Sequence, residues 1–572
     1  MSLELLPNEI LLDIFEYFNG INLLRTFYGL NNRFNMVLHG RFPNCSIDFH
    51  SISKYDFDTI CQSYFPTMSK YISTLHLFDN EETPKQIKLF LSSISSFNQF
   101  IQLKYLSLSN IRSYPILIRI LEECHHLPYL THLNFYNCYL QDNHVDFQII
   151  INHIWSLSKL TYCTIGIAIQ GQCMLCTPTI TSTSLTHLII DRIQVELNQI
   201  NRLFEFTPKL QYLSLSIRSF IDNNYQPISL PSLTDLCIHS IITCNALNMT
   251  NLLQNTPNLH RLSIELSCEI VDGTHLEQII RNNLPKLEIL QLKMKMILHL
   301  GQHIQNRIDV LLNSFQSSFW IDDHQWFIRC FTSNRTIYLY SLSTKYEENL
   351  PVTFKSTYQH DDQQDFYHAV TKLISPTFFD QPISSSIRLI NLEELHLNLP
   401  IVEQFWTLVP NLNRLKILRI LLHTNAFRSQ VQALLDRAPH LYRLSINQHE
   451  STNFSTSLFK YRNASIRELD LRDINYYFNE EDCFNFSHSP LGMQCEKLSI
   501  LVSNRQCVVT LIKFITKLRM INVRCKDEIY IQPSISEEDN EDDCIQWLKV
   551  HSPSRCVIVR NPKLTCNILI WI

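Results

Sequence analysis

Glycine is nearly missing from this sequence, with 8 in 572 residues against an ordinary share of about 7%. No two form a G-x-G. Gly166 and Gly171, the pair at phosphate-loop spacing, are followed by Gln172-Cys173 instead of Lys-Ser/Thr. The dinucleotide fingerprint, the Walker A loop and the G-x-S-x-G nucleophile elbow are excluded together. Each needs glycine to bring backbone against a phosphate or into a strained turn. The turns of this chain must be made largely without left-handed glycines. A basic excess is also missing: the net charge is −5, which gives no pull on nucleic acid or an anionic membrane. No apolar run reaches the length of a membrane-spanning helix. The start, MSLELLPNEI, has no basic region and carries Glu4, Pro7 and Glu9, so no secretory signal is expected. The 18 cysteines then read as reduced, buried thiols, and the expected location is cytoplasmic and/or nuclear.

Catalytic and metal-binding patterns are equally sparse. No H-E-x-x-H occurs, and Cys173 and Cys176 have no second ligand pair nearby for zinc. His360, Asp361, Asp365 and His368 read as a polar loop. Residues 537–543 hold the acidic run Glu537, Glu538, Asp539, Glu541, Asp542 and Asp543, which reads as a solvated loop. No catalytic residue, cofactor or metal ligand is assigned, and the chain is expected not to be an enzyme.

What is present is a large apolar fraction, 45%, enough for an extensive core, and a repeat. The repeat is apolar, two residues, apolar, one residue, apolar. It occurs at Leu103-Leu106-Leu108, Leu130-Leu133-Phe135, Leu160-Cys163-Ile165, Leu185-Leu188-Ile190, Leu210-Leu213-Leu215, Leu233-Leu236-Ile238, Leu259-Leu262-Ile264 and Leu287-Leu290-Leu292. After a break it resumes at Leu392-Leu395-Leu397, Leu415-Leu418-Ile420, Leu441-Leu444-Ile446 and Ile466-Leu469-Leu471. Within each block the units start 23 to 30 residues apart. Proline stands two residues before the first apolar position at Pro128, Pro208, Pro231, Pro257, Pro285 and Pro439. Proline cannot continue a helix and pushes the residue before it to extended backbone. Each unit therefore predicts a helix, a proline stop and a short strand with alternate residues facing inward. Between the blocks, Phe331 and Thr336-Ile337-Tyr338-Leu339-Tyr340 predict a hairpin turning near Thr332-Ser333-Asn334-Arg335.

The repeat resembles the leucine-rich-repeat family over roughly residues 70–300 and 390–525. Its full pattern, with Asn or Cys closing the turn, is met in one unit: Leu130, Leu133, Phe135, Cys138 and Leu140. The resemblance implies an irregular α/β solenoid of parallel strands and helices.

Residues 4–42 do not fit the repeat. Pro7 and Glu9 suit a first helical turn. Ile10, Leu11, Ile14, Phe15 and Phe18 then share one helical face, Asn19-Gly20 reads as the end of that helix, and two further helices follow. Leu6-Pro7, Glu9-Ile10-Leu11, Ile14-Phe15, Phe18, Leu23-Leu24, Leu30 and Asn32-Arg33-Phe34 together resemble an F-box. The combined resemblance implies the substrate-receptor subunit of an SCF-type cullin-RING ubiquitin ligase. Its F-box would bind a Skp-type adaptor, and through it cullin, while the solenoid holds a protein substrate. The adaptor contacts it implies are Leu6, Pro7, Ile10, Ile14, Phe15, Leu23 and Leu24. The alternative is a repeat-based interaction scaffold with a helical cap and no ligase role. Exposure of Pro7 and Ile10 is the feature expected to separate the two. The expected organisation is an F-box at 1–45, repeats at 46–300, an irregular insert with the hairpin at 301–390, and repeats with a C-terminal cap at 391–572.

Overall fold

A computed structural model describes residues 3–41, 45–141, 145–171, 174–217, 229–240, 250, 252–267, 270–297, 304–333, 335–342, 353–422, 428–448, 459–527 and 542–572. The apolar triplets lie on strands. In order these are β1 (Ser46–Asp48), β2 (Thr74–Phe78), β3 (Tyr105–Ser109), β4 (His132–Leu140), β5 (Tyr162–Ile169), β6 (His187–Val195), β7 (Tyr212–Ile217), β8 (Asp235–Ser240), β9 (Arg261–Leu266) and β10 (Ile289–Ile297). They lie side by side in sequence order, each parallel to the next. β11 (Ile328–Ser333), β12 (Thr336–Ser341) and β13 (Lys355–Ser356) complete this sheet antiparallel, with β12 against β10 and Ser333 opposite Thr336.

A second sheet repeats the plan. It runs β14 (Lys372–Leu373), β15 (Glu394–Leu399), β16 (Ile417–Leu422), β17 (Arg443–Gln448), β18 (Glu468–Asp470), β19 (Lys497–Val502) and β20 (Met520–Cys525), all parallel. β22 (Ile568–Trp571) then pairs antiparallel with β20, and β21 (Val557–Arg560) lies outside it.

The period of two places the apolar side chains inward, while Ser107, Asn134 and Thr164 between them are buried as well. Leu106 and Leu108 of β3, Leu133 and Phe135 of β4, and Leu213 and Leu215 of β7 are fully enclosed. The helix Tyr114–Cys124 meets them with Leu117, Ile120, Leu121 and Cys124, a spacing of three and four. The proline stop works through the backbone. After Pro128 the amides of Thr131 and His132 both turn to the carbonyl of Lys104, each at 2.9 Å. After Pro208, Gln211 and Tyr212 turn to Thr186 O at 2.8 and 3.0 Å. Left-handed turns fall mostly to other residues, among them Asn110, Asn137 and Arg192. Asn tolerates that region because its short side chain bonds locally.

Three helices precede β1: α1 (Asn8–Phe15), α2 (Gly20–Phe27) and α3 (Asn32–Arg41). Gly20 opens α2, with Asn19 Oδ1 capping Asn22 N at 2.8 Å, and does not end α1. A Cβ at Gly20 would lie 2.6 Å from the Ser46 carbonyl oxygen. Glycine is there so that α2 can press against the chain at β1. Phe15, Leu23, Leu24, Phe27 and Phe34 belong to one continuous core with Ile47, Leu75 and Leu106.

The two ends of the described chain meet. Trp571 is fully buried in the first core, its ring 5.2 Å from Phe57 and its Nε1 donating to Ile52 O at 2.7 Å. Lys54 N donates to Ile572 O at 2.8 Å. Beside this seam Lys497 of β19 is clasped by Glu82 at 2.7 Å and Glu468 at 2.5 Å.

These features correct the expected fold, a leucine-rich-repeat solenoid preceded by a small three-helix F-box. The strands form two large mixed sheets, of thirteen and nine strands, where a solenoid of parallel strands and helices was expected. Each ends in antiparallel partners, because residues 328–341 and 557–571 carry apolar strands on both sides of a short connection and fold back. The three helices are not a discrete cap, since their apolar faces are continuous with the core under β1 and β2. Of β22, Trp571 joins the first core while Ile568 and Ile570 belong to the second.

Candidate functional site

In-register parallel strands line up equivalent residues about 4.8 Å apart. On the outward face of the first sheet the first residues of successive strands are Tyr105, His132, Tyr162, His187 and Tyr212. Tyrosine and histidine alternate, and the rings stack in one ladder. Centroid separations are 5.7, 5.3, 5.8 and 5.8 Å, with interplanar angles of 27°, 20°, 22° and 16°. Offset stacking at this distance is favourable. It consumes the ring faces, while the Tyr105 hydroxyl interacts with Asn134 and Tyr136 and that of Tyr162 with Thr164.

The preceding threonines set the histidine orientation. Thr131 Oγ1 donates to Lys104 O at 3.2 Å and Thr186 Oγ1 to Thr161 O at 3.0 Å. Each hydroxyl has one proton, so the 2.9 Å contacts with His132 Nδ1 and His187 Nδ1 are donated by the rings. Burial, and after it the charge of His187, holds the His132 pKa below its ordinary value, which keeps that ring neutral.

The same register continues the ladder into charge. Asp235 and Arg261 follow Tyr212, with Arg261 Nε 3.6 Å from Asp235 Oδ1. Two rows further along the strands, His239, Glu265 and Lys293 stand opposite one another. Cys237 lies two residues before His239 and so on the same face. Its Sγ is 3.4 Å from His239 Nε2. His239 Nδ1 is 3.1 Å from Glu265 Oε2, and Lys293 Nζ is 2.8 Å from Glu265 Oε1.

Three of these groups shift one another's titration. His239 is pushed up to about 10 by its hydrogen bonds, first to Cys237 and then to Glu265. Glu265 is held down at about 2, chiefly by His239 and then, against its burial, by Lys293. Burial opposes ionisation of Cys237, yet hydrogen bonds from His239, Ser263 and Ser214 bring its thiol below the ordinary value. The result is a row of thiol, imidazole, carboxylate and amine joined by hydrogen bonds and an ion pair. It borders an open hollow of about 330 Å³ lined by Ile189, Asp191, Ser214, Ser216, His239 and Glu265.

Nucleophile, base and orienting carboxylate stand in the order that covalent catalysis uses. Acyl transfer also needs donors aimed at an oxyanion. The β8 amides are spent on the sheet pairing, and the Ser214 and Ser263 hydroxyls are spent on Cys237. The row is linear rather than convergent, and among the described residues no group of three or more His, Cys, Asp or Glu could hold a metal ion.

The residues expected at an adaptor contact do not form one surface. Phe15, Leu23 and Leu24 are fully buried, Leu6 and Ile14 are half-buried, and Pro7 and Ile10 are exposed, Ile10 by 43%. Phe15 packs on Phe27 at 4.7 Å, so its ring is committed to the core. Arg33 ties the start of α1 to α3 through Glu4 O at 2.5 Å, Leu6 O and Asn8 Oδ1 at 2.9 Å. Cys173, Asn334 and residues 537–541 lie outside the described residues. Asp361 is no metal ligand, since the Arg329 guanidinium grips both its oxygens at 3.0 and 2.6 Å.

No protein-family model matches the chain, and no curated protein matches it. The resemblances to F-box and leucine-rich-repeat proteins are corrected accordingly, and with them the implied substrate-receptor role in an SCF-type ligase. The Skp-type adaptor and cullin lose their basis as partners, because the F-box resemblance alone supplied them. Sequence reading missed the outward ladder, although its signal was present: each ring stands two residues after the first apolar residue of its triplet.

Proposed function

We propose that this chain is a non-enzymatic recognition protein that binds an extended polypeptide segment across the outward face of its first sheet. The observation carrying this reading is the in-register ladder Tyr105, His132, Tyr162, His187 and Tyr212. It presents alternating tyrosine and histidine rings over about 20 Å, the length of about six extended residues. A polypeptide supplies amide donors and carbonyl acceptors in regular alternation along such a track. Asp235, Arg261, Glu265 and Lys293 continue it with both signs of charge, which favours a mixed-charge peptide over a phosphate backbone.

The test is panning of a random peptide library on the full chain and on a Tyr162→Ala/His187→Ala variant. Peptides enriched on the first should bind the second at least tenfold more weakly, since each lost aromatic contact is worth about 0.5–1.5 kcal/mol. Equal binding by both proteins rejects the ladder as the contact surface.

A further inference from the structure

At the seam lies a second hollow, of about 290 Å³. One wall comes from the turns after β2 and β3, the other from β21 and the connection beyond it. Five cationic side chains line it, Lys85, Lys88, Arg112, Arg560 and Lys563, against two acidic ones, Asp79 and Glu81. Glu81 is already engaged by Asn522 Nδ2 at 3.2 Å and Lys563 at 3.8 Å.

Among the buried polar atoms around this hollow, Arg112 Nε, Asn561 Nδ2 and Asp79 Oδ1 make no hydrogen bond within the protein. Two are donors, and such groups are costly to leave unmet. Burial lowers the Arg112 pKa in spite of the nearby charges of Asp79 and Glu81. Asp79, nearly wholly buried, is pushed up to about 7 by that burial, against backbone hydrogen bonds from Ile87 and Gln86. The remaining wall is apolar, with Ile111, Ile116, Val559 and Leu569.

We propose that this hollow binds a small organic molecule bearing a phosphate-type oxyanion. The oxyanion takes the Arg112 guanidinium, with Lys563 at the rim, and the organic body lies on the apolar wall. Charge-assisted bonds from guanidinium to phosphate are the strong kind, and an apolar pocket with a few convergent polar groups is the usual form of a ligand site. Because the walls come from opposite ends of the chain, an occupant also fastens the seam.

Titration calorimetry of the full chain with phenyl phosphate, inorganic phosphate and phenol tests this. Saturable binding is expected for phenyl phosphate, weaker binding for inorganic phosphate and none for phenol. Arg112→Gln and Lys563→Gln should each weaken phenyl phosphate at least tenfold, while Lys416→Gln, at a remote surface pair, should not. Lys563 is largely exposed, so its variant reports even if Arg112→Gln fails to fold. Absence of saturable binding, or binding indifferent to both variants, overturns the proposal. Equal affinity for inorganic and phenyl phosphate overturns the organic-body assignment, and equal affinity for phenol overturns the oxyanion.

Discussion

Cys237 differs from most of the described cysteines in being neither fully enclosed nor without a base. Its thiol is partly exposed, and His239 supplies the proton partner at 3.4 Å. Cys124, Cys163 and Cys495 are enclosed, and burial drives their thiols well above the ordinary range. Thiolate is the reactive species, so iodoacetamide at pH 7 should label Cys237 far faster than those three. In a His239→Gln variant the thiol loses its largest stabilising contact. Its labelling rate at pH 7 should fall at least tenfold and its pH midpoint should rise. Peptide mass spectrometry across pH measures both, and an unchanged rate would show that His239 does not activate the thiol.

Between strands, glycine shows how closely elements approach. A Cβ at Gly166 of β5 would sit 2.5 Å from the Phe135 carbonyl oxygen of β4, beside the register shift between those strands. Gly166→Ala should destabilise by about 1–3 kcal/mol. Gly40, inside α3, would meet nothing within 4 Å, and Gly40→Ala should stabilise by about 0.5–1 kcal/mol. Thermal unfolding of the two variants should move in opposite directions. At this scale much was legible in the sequence. Leu106 and Leu108 read as inward strand positions because period two is local, and Pro128 read as a helix stop because its missing amide is local. The role of Gly20 was not legible, since Ser46, which forbids a side chain there, lies outside its helix. His239 and Glu265 are 26 positions apart, one repeat period, so their pairing could be inferred only after the register was known. The F-box resemblance misled for a related reason. Leu23 and Leu24 have the spacing of any amphipathic helix, and spacing does not say whether that face meets β1 or another protein.

For the molecule as a whole, stability should depend on the seam. Trp571→Ala removes a wholly buried indole from the first core and should cost about 3–5 kcal/mol. Amide exchange should quicken around residues 52–57 before it does in β5 or β6. Acid should act at the same place. The Glu82 carboxyl is buried, which opposes ionisation, but Lys497 and Ser51 hold its pKa below the ordinary 4.5. A lowered folded-state value means its contribution is complete above 4.5 and is lost as pH falls through that lower value. Unfolding followed against pH should show this loss, and Lys497→Met should remove that part of the acid dependence.

The indole of Trp571 carries one more consequence, for the order of events during synthesis. Its partner Ile52 lies 519 positions earlier. At ribosomal rates of about 5–20 residues per second, roughly half a minute to two minutes separates their emergence. Throughout that interval Phe57 and its neighbours have a vacancy where the indole will lodge. A nascent chain halted short of residue 571 should therefore be a good client for chaperones that grip apolar surface, and release should coincide with arrival of the final strand.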